Sequence, residues 1–255
     1  KSSEERPVAL IGQLHKRISE RVRDPLTATA LAIESRGGGS SEQAILVSCD
    51  LLYIRKSVVE SIREVLKVRL PDFEADKLVL NATHTHTGPG FADEDFGTLY
   101  DVSQDKGVMR ASEYADFFVE KIARVAAEAW ERRGPGGVNW ALGHAVVGMN
   151  RRARYFDGKA IMYGSTTRAD FAGLEGYEDH GVEMLFFWDD SGKLNGIVVN
   201  LACTAQETEG LNEISADFWH DVRQTLRERL AQDVHVLPQC AAAGDLSPHL
   251  LYRKK

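Results

Sequence analysis

The chain has 255 residues, of which 43% are hydrophobic and 27% are charged, as in an ordinary globular protein. Its formal net charge of −7 argues against a nucleic-acid partner, because phosphate binding needs a surplus of Lys and Arg. No apolar run approaches the roughly 20 residues that cross a bilayer, so we expect no transmembrane segment.

The compartment follows less directly from the sequence. The charged stretch from Lys1 to Arg6 is not a signal peptide. The chain is therefore cytoplasmic unless a signal has been removed, in which case it is secreted or periplasmic. The 3 cysteines are too few, and odd in number, for a disulfide framework, so they do not decide between these compartments.

The first part of the chain alternates strands with one helix. Hydrophobic periodicity predicts strands over residues 26–34, 44–49 and 77–82 and a helix over residues 54–70. The glycine-rich turn Gly37–Ser41 joins the first two strands into a hairpin, and Pro71 ends the helix. Residues 88–111 are polar and rich in Gly and Asp, which is typical of a long functional loop.

The second part of the chain continues this alternation. It predicts a helix over residues 112–133, strands over 138–149, 181–188 and 195–202, a helix over 217–231 and a strand over 234–237. Ser112 and Asp217 are the expected N-caps of the two helices, and the turn Asp189–Lys193 joins two strands. Strands that alternate with helices and also form hairpins predict an α/β fold with a mixed β-sheet and flanking helices.

The strand over residues 77–82 leads into a segment with two histidines, Asn81–Gly90. In an extended chain alternate side chains point the same way, so we expect His84 and His86 on one face. Two such imidazoles could bind zinc, or one could ligate a metal while the other transfers a proton. From the residues alone, a polar strand end whose histidines only make hydrogen bonds is an equal alternative.

Two further segments carry reactive side chains. Ser247 follows the last strand, where it is either an exposed nucleophile at a strand-to-loop turn or, with Pro248 after it, a helix N-cap. Arg151 lies in an arginine-rich segment and could bind an oxyanion or carboxylate, or belong to the solvated surface. His180 and His220 are candidate metal ligands by residue type only.

Taken in order, four segments resemble the neutral/alkaline (non-lysosomal) ceramidase family. They are Thr83–Gly90, Asn150–Arg151, Ile214–Asp217 and Gly244–Pro248. In the family these segments read Thr-His-Thr-His-x-Gly-Pro-Gly, Asn-Arg, Ile-Ser-x-Asp and Gly-Asp-x-Ser-Pro. The resemblance spans most of the chain and implies a single ceramidase-like catalytic domain over residues 1–255 that hydrolyses an amide.

The resemblance also implies roles for individual residues. His84 would be a zinc ligand and His86 a neighbouring catalytic histidine. Arg151 would position the substrate or stabilise negative charge, and Ser247 would attack the amide. The implied cofactor is zinc, and the implied substrate is a small-molecule amide or a lipid. The alternatives are a hydrolase of a different amide or ester on the same scaffold, and a non-catalytic binding protein that has lost the metal.

The zinc ligands of the family are only partly present in this sequence. The second family histidine, shortly before the Ile-Ser-x-Asp segment, has no counterpart in residues 201–208, where Cys203, Gln206 or Glu207 could replace it. The remaining family ligands, a glutamate and a tyrosine, lie well downstream of the Gly-Asp-x-Ser-Pro segment. We therefore expect the catalytic domain to be incomplete at the C-terminus of this chain.

Overall fold

The structure is a computed structural model that describes residues 6–93 and 96–253. The strands, in chain order, are β1 (Ala9–Leu10), β2 (Arg17–Ile18), β3 (Arg21–Val22), β4 (Ala28–Gly37), β5 (Ser40–Cys49), β6 (Leu78–Ala82), β7 (Gly136–His144), β8 (Met149–Asn150), β9 (Arg152–Tyr155), β10 (Ala160–Met162), β11 (Phe171–Leu174), β12 (Gly181–Asp189), β13 (Leu194–Leu201), β14 (Glu213–Ile214), β15 (His235–Cys240) and β16 (Leu246–Ser247). The α-helices are α1 (Lys56–Arg69), α2 (Ala111–Glu131) and α3 (Phe218–Leu230). Short 3₁₀ turns lie at Ala75–Lys77 and Leu251–Arg253.

The first main sheet has the strand order β4-β5-β6, with β4 antiparallel and β6 parallel to β5. Helices α1 and α2 cover one face of this sheet. Helix α1 contributes Val58, Ile62 and Leu66, which recur every four residues and so form one buried stripe. Alternate residues of the strands, such as Ile45 and Val47, meet that stripe and exclude water from it.

The second main sheet has the order β15-β13-β12-β7, in which β13 and β15 are parallel and the other pairs are antiparallel. Ile197, Val199 and Leu201 alternate along β13 and pack toward Trp219 of α3, which is fully buried. Helix α3 therefore covers one face of this sheet, as α1 and α2 cover one face of the first.

The uncovered face of the first sheet lies against β15 of the second. Asn81 of β6 donates a side-chain hydrogen bond to the carbonyl of Pro238 at 3.0 Å, and Ser48 of β5 donates to the same carbonyl. The layers are thus helices, sheet, sheet and helix. The predicted α/β fold with mixed sheets is confirmed, and it contains two such sheets face to face.

The predicted elements agree with the structure in type but differ in detail. The hairpin is confirmed, with Gly38 and Gly39 at positive φ in its turn. The prediction that Ser112 caps α2 is wrong, because the helix begins at Ala111 and the Ser112 hydroxyl donates to Asp93 at 3.1 Å. Asp217 does cap α3, accepting the backbone N–H of Phe218.

The segments between these elements hold two further differences. The β structure predicted over 138–149 is divided between β7 and β8, which belong to different sheets. The described part of the predicted loop 88–111 has no helix or strand before α2, and residues 94 and 95 lie outside the described residues. Of the helices that the structure describes, none is long and apolar enough to cross a membrane.

Candidate active site

The two histidines after β6 lie side by side, with ring centroids 5.0 Å apart and planes at 71°. Their convergence is as predicted, but the cause is not an extended strand. Strand β6 ends at Ala82, and His84 has a left-handed backbone with φ 65°, a conformation that costs a non-glycine residue energy and is common at functional sites. This turn brings the His84 ring next to that of His86.

Threonines hold the opposite side of this segment. The Thr85 and Thr87 hydroxyls both donate to the carbonyl of Ser215, at 3.0 and 2.9 Å, and both side chains are fully buried. Ser215 in turn donates to Asp24 at 2.7 Å. The Ile-Ser-x-Asp segment therefore anchors the threonines, which leaves the histidines on the other side of the chain.

His84 has one ring nitrogen engaged and one available. Its Nδ1 lies 2.8 Å from the carbonyl of Leu52, which can only accept, so the hydrogen is on Nδ1 and Nε2 keeps its lone pair. Burial lowers the pKa of His84, opposed by the Leu52 hydrogen bond and reinforced by the charge of Arg151. A neutral imidazole with a free Nε2 is the form that binds a metal ion.

His86 is buried, with 8% of its surface exposed, and neither ring nitrogen makes a hydrogen bond of normal geometry to a described residue. Burial, followed by the neighbouring His84, Arg151 and Arg17, lowers the pKa of His86 to about 3. The ring is therefore neutral near pH 7. An uncharged, unpaired imidazole in a buried site is suited to accepting a proton from a reacting group.

Arg151 lies inside the same site and is not part of the solvated surface. Its Nη1 donates to the hydroxyl of Tyr163 and to Oε1 of Gln206, each at 3.0 Å, and its Nη2 donates to the carbonyl of Gly244 at 2.9 Å. All three acceptors are neutral, and Nε has no partner among the described residues. A buried guanidinium with only neutral acceptors can stabilise negative charge on a ligand.

Ser247 is fully buried in β16, which pairs with β8. The expected exposed hydroxyl is therefore a wrong prediction, because strand pairing draws this residue inside. The alternative of a helix cap also differs from the structure, since Oγ accepts the backbone N–H of His249 at 3.2 Å in a local turn. That bond uses an oxygen lone pair and leaves the hydroxyl hydrogen free to be donated.

Two residues of the site were missed by the sequence analysis, Glu209 and His249. The Oε2 atom of Glu209 lies 3.7 Å from Nδ1 of His86, and its Oε1 lies 3.4 Å from Nε2 of His249. The same carboxylate accepts from the side chain of Gln206 at 2.7 Å. The Gln206 side chain thus contacts both Arg151 and Glu209. Glu209 in turn lies next to His86.

The residues that the structure describes do not complete a zinc shell by themselves. Among them, no group of three or more His, Cys, Asp or Glu side chains is arranged to hold a metal ion. Cys203 is buried in the core, and burial raises the pKa of its thiol to about 12, which opposes thiolate ligation. Glu207 is half exposed, and its Oε2 lies 3.9 Å from Nδ1 of His249. Among the described residues, His84 keeps a free Nε2, and the neighbouring His86 has two ring nitrogens without a hydrogen-bond partner.

The two histidines proposed by residue type alone have other neighbours. His180 stacks edge-on against His144, with centroids 5.4 Å apart, and its Nε2 lies 3.2 Å from Glu178. His220 follows the cap of α3, where its backbone N–H donates to Asp217 at 3.0 Å. Neither histidine makes a described contact with His84 or His86.

The architecture is that of a layered α/β domain with a buried cluster of imidazole, guanidinium, carboxylate and hydroxyl groups. No protein-family model and no curated protein matches the sequence. Among solved structures, the neutral ceramidase from Pseudomonas aeruginosa matches with a TM-score of 0.70 and 22% identity, over 97% of this chain and 38% of that chain. A ceramidase complexed with C2 matches with a TM-score of 0.69 and 22% identity, over 96% of this chain and 36% of that chain.

At this identity the likeness establishes the fold. The chain has the fold found in neutral ceramidase, and the resemblance predicted from its motifs is confirmed at that level. The chain spans 38% and 36% of the two matched structures, so the activity of the whole proteins does not transfer with the fold.

Proposed function

We propose that this chain is the catalytic part of a ceramidase-like hydrolase that cleaves an amide (N-acyl) bond in a small-molecule or lipid substrate. The observation that carries the proposal is one cluster that joins four regions distant in sequence. Contacts run from Arg151 through Gln206 and Glu209 to His86, and from Glu209 through His249 to Ser247. The fold shared with neutral ceramidase supports this reaction class.

In the proposed reaction, the hydroxyl oxygen of Ser247 adds to the amide carbonyl carbon, and its proton passes to the neutral ring of His86. The guanidinium of Arg151 stabilises the negative charge on the carbonyl oxygen. The C–N bond then breaks, and the leaving amine takes the proton from His86. Water hydrolyses the acyl ester on Ser247 to release the carboxylic acid. Because Ser247 is fully buried, the substrate must displace the residues that cover its hydroxyl.

A substrate panel separates this proposal from its alternatives. The purified chain is incubated with a long-chain N-acyl sphingoid, a short polar amide and a short ester, and the released acid is measured. We expect release from the N-acyl sphingoid, its loss in His86→Ala, and its retention in His180→Ala, which lies outside the cluster. Cleavage of only the polar amide or the ester would favour another hydrolase, and binding without cleavage would favour a binding protein.

A zinc ion bound at His84 is a separate proposal. It is supported by the Nδ1 hydrogen bond to Leu52, which leaves Nε2 free, and by the neighbouring His86 ring, whose nitrogens have no hydrogen-bond partner among the described residues. The described residues do not supply three ligands, so the shell would need at least one more. When bound, zinc would supply a Lewis acid. Elemental analysis of the purified chain and of His84→Ala tests this proposal. We expect weakly bound zinc in the first and its loss in the second, whereas equal zinc in both would place the metal elsewhere.

A further inference from the structure

The carboxylate of Glu209 lies between two imidazole rings. One oxygen is 3.7 Å from Nδ1 of His86, and the other is 3.4 Å from Nε2 of His249. The first distance is just outside a hydrogen bond, and such contacts often tighten when a substrate binds. Within the described part of the chain, no other carboxylate makes an ion-pair contact with His86.

The position of this carboxylate is fixed by several neighbours. Oε2 of Glu209 accepts from the side-chain amides of Gln13 at 2.9 Å and of Gln206 at 2.7 Å. The buried guanidinium of Arg17 donates to the backbone carbonyls of Glu209 at 2.7 Å and of His86 at 2.6 Å. Arg17 therefore ties the two backbones together, and the carboxylate has little freedom to move away from the ring.

We infer that Glu209 is a positioning residue that holds His86 with its hydrogen on Nδ1 and leaves Nε2 as the proton acceptor. An ionised carboxylate accepts hydrogen bonds and cannot donate them. It therefore favours the ring form that carries a hydrogen on the nitrogen facing it. A carboxylate beside a catalytic histidine selects the ring tautomer in this way in other hydrolases. Nε2 of His249 donates to the backbone carbonyl of Gln206 at 2.9 Å, so this ring lies beside the second carboxylate oxygen without a hydrogen bond to it.

Nuclear magnetic resonance tests this inference without any activity. Two-bond ¹H–¹⁵N correlations of histidine-labelled chain distinguish the two tautomers, and His86→Gln identifies the His86 signals by their disappearance. We expect the Nδ1–H form in the wild type, a shift toward Nε2–H in Glu209→Gln, and no shift in Glu207→Gln. Glu207 is the matched control, because it lies in the same loop and contacts His249 but not His86.

The wild-type spectrum alone can overturn the inference, even where a variant fails to fold. An Nε2–H form of His86 in the wild type, or an unchanged tautomer in folded Glu209→Gln, would contradict it. Glu209→Asp keeps the charge and is expected to retain part of the Nδ1–H signal.

A kinetic experiment rests on the proposed function, and its result is interpreted separately from the NMR result. On the N-acyl sphingoid, we expect Glu209→Gln to lower kcat by about tenfold or more with little change in KM, and Glu209→Asp to recover part of the loss. An inactive wild type would count against the proposed function but not against the tautomer. A wild-type kcat in Glu209→Gln would overturn the positioning role in catalysis.

Discussion

At the scale of single residues, the position of the His86 ring depends on Gly12, which has no side chain to occupy that space. Gly12, between β1 and β2, has φ +112°, and a Cβ added there would lie 2.6 Å from Cγ of His86. Its backbone N–H also donates to the Tyr100 hydroxyl at 3.2 Å. Glycine at this position therefore allows both the backbone conformation and the close approach of the ring.

Gly12→Ala is expected to displace the His86 ring and to destabilise the fold by about 1–3 kcal/mol, from backbone strain and steric overlap together. Urea unfolding and the His86 NMR signals measure the two effects. Gly107→Ala is the matched control, because Gly107 has φ +83° but open space around its Cβ position. We expect Gly107→Ala to cost about 1 kcal/mol and to leave the His86 signals unchanged. Equal effects of the two substitutions would show that the contact with His86 is unimportant.

The sequence predicts some of these residues and not others. His84 and His86 are predictable because a spacing of two brings side chains together, although here a left-handed residue completes the convergence. Glu209 lies in an irregular loop, where no periodicity indicates what a side chain will contact. The sequence feature that could have indicated this part of the site is His249, an imidazole two residues after Ser247.

At the scale of elements, helix α2 is capped by a residue from outside the helix. The Asp93 carboxylate accepts the backbone N–H of Ala111 at 3.0 Å and the hydroxyl of Ser112 at 3.1 Å. A carboxylate at this end satisfies an otherwise unpaired N–H and interacts favourably with the helix dipole. The sequence predicts a Ser112 cap because local patterns do not reveal a cap contributed from another segment.

Asp93→Ala is therefore expected to lower the free energy of unfolding by about 1 kcal/mol, as the loss of a helix cap usually does. Ser112→Ala removes only a donor to Asp93, and we expect it to cost less than about 0.5 kcal/mol. Urea denaturation of both variants measures the difference. A larger loss in Ser112→Ala than in Asp93→Ala would restore Ser112 as the cap.

The small sheet β10-β9-β11 is an element that the sequence analysis missed. In β9, Ala153 and Tyr155 are buried while Arg154 between them is exposed, so the alternation of a strand is present. The strands of this sheet are only 3 or 4 residues long, too short for periodicity to separate them from a loop. Strand β9 begins directly after Arg151, so this sheet helps to position the guanidinium.

At the scale of the whole molecule, a buried ion pair joins the two halves of the layered fold. Arg223 of α3 makes two hydrogen bonds, at 2.8 and 2.9 Å, to Asp50 directly after β5. The two side chains are 4% and 0% exposed. Asp50 also accepts from the backbone of Thr27 and the hydroxyl of Thr83, so the pair reaches the start of the histidine segment.

Arg223→Met is expected to cost about 3–5 kcal/mol, because it leaves the Asp50 charge buried without its partner. The double variant Arg223→Met/Asp50→Asn should lose less, since it removes that charge. Arg69→Met is the control, because its ion pair with Glu120 is exposed and worth about 1 kcal/mol or less. Differential scanning calorimetry measures all three variants. A cost in Arg223→Met no larger than that in Arg69→Met would contradict a joining role for the buried pair.

The most direct test of the account is the hydrolysis of a long-chain N-acyl sphingoid by the wild type, Ser247→Ala and Ser191→Ala, followed by mass spectrometry of the released acid. Ser191 is an exposed turn residue and serves as the matched control. We expect release by the wild type and by Ser191→Ala, and a loss of about 1,000-fold or more in Ser247→Ala, as for other hydroxyl nucleophiles. Wild-type release by folded Ser247→Ala would contradict the assignment of Ser247 as the nucleophile of this site.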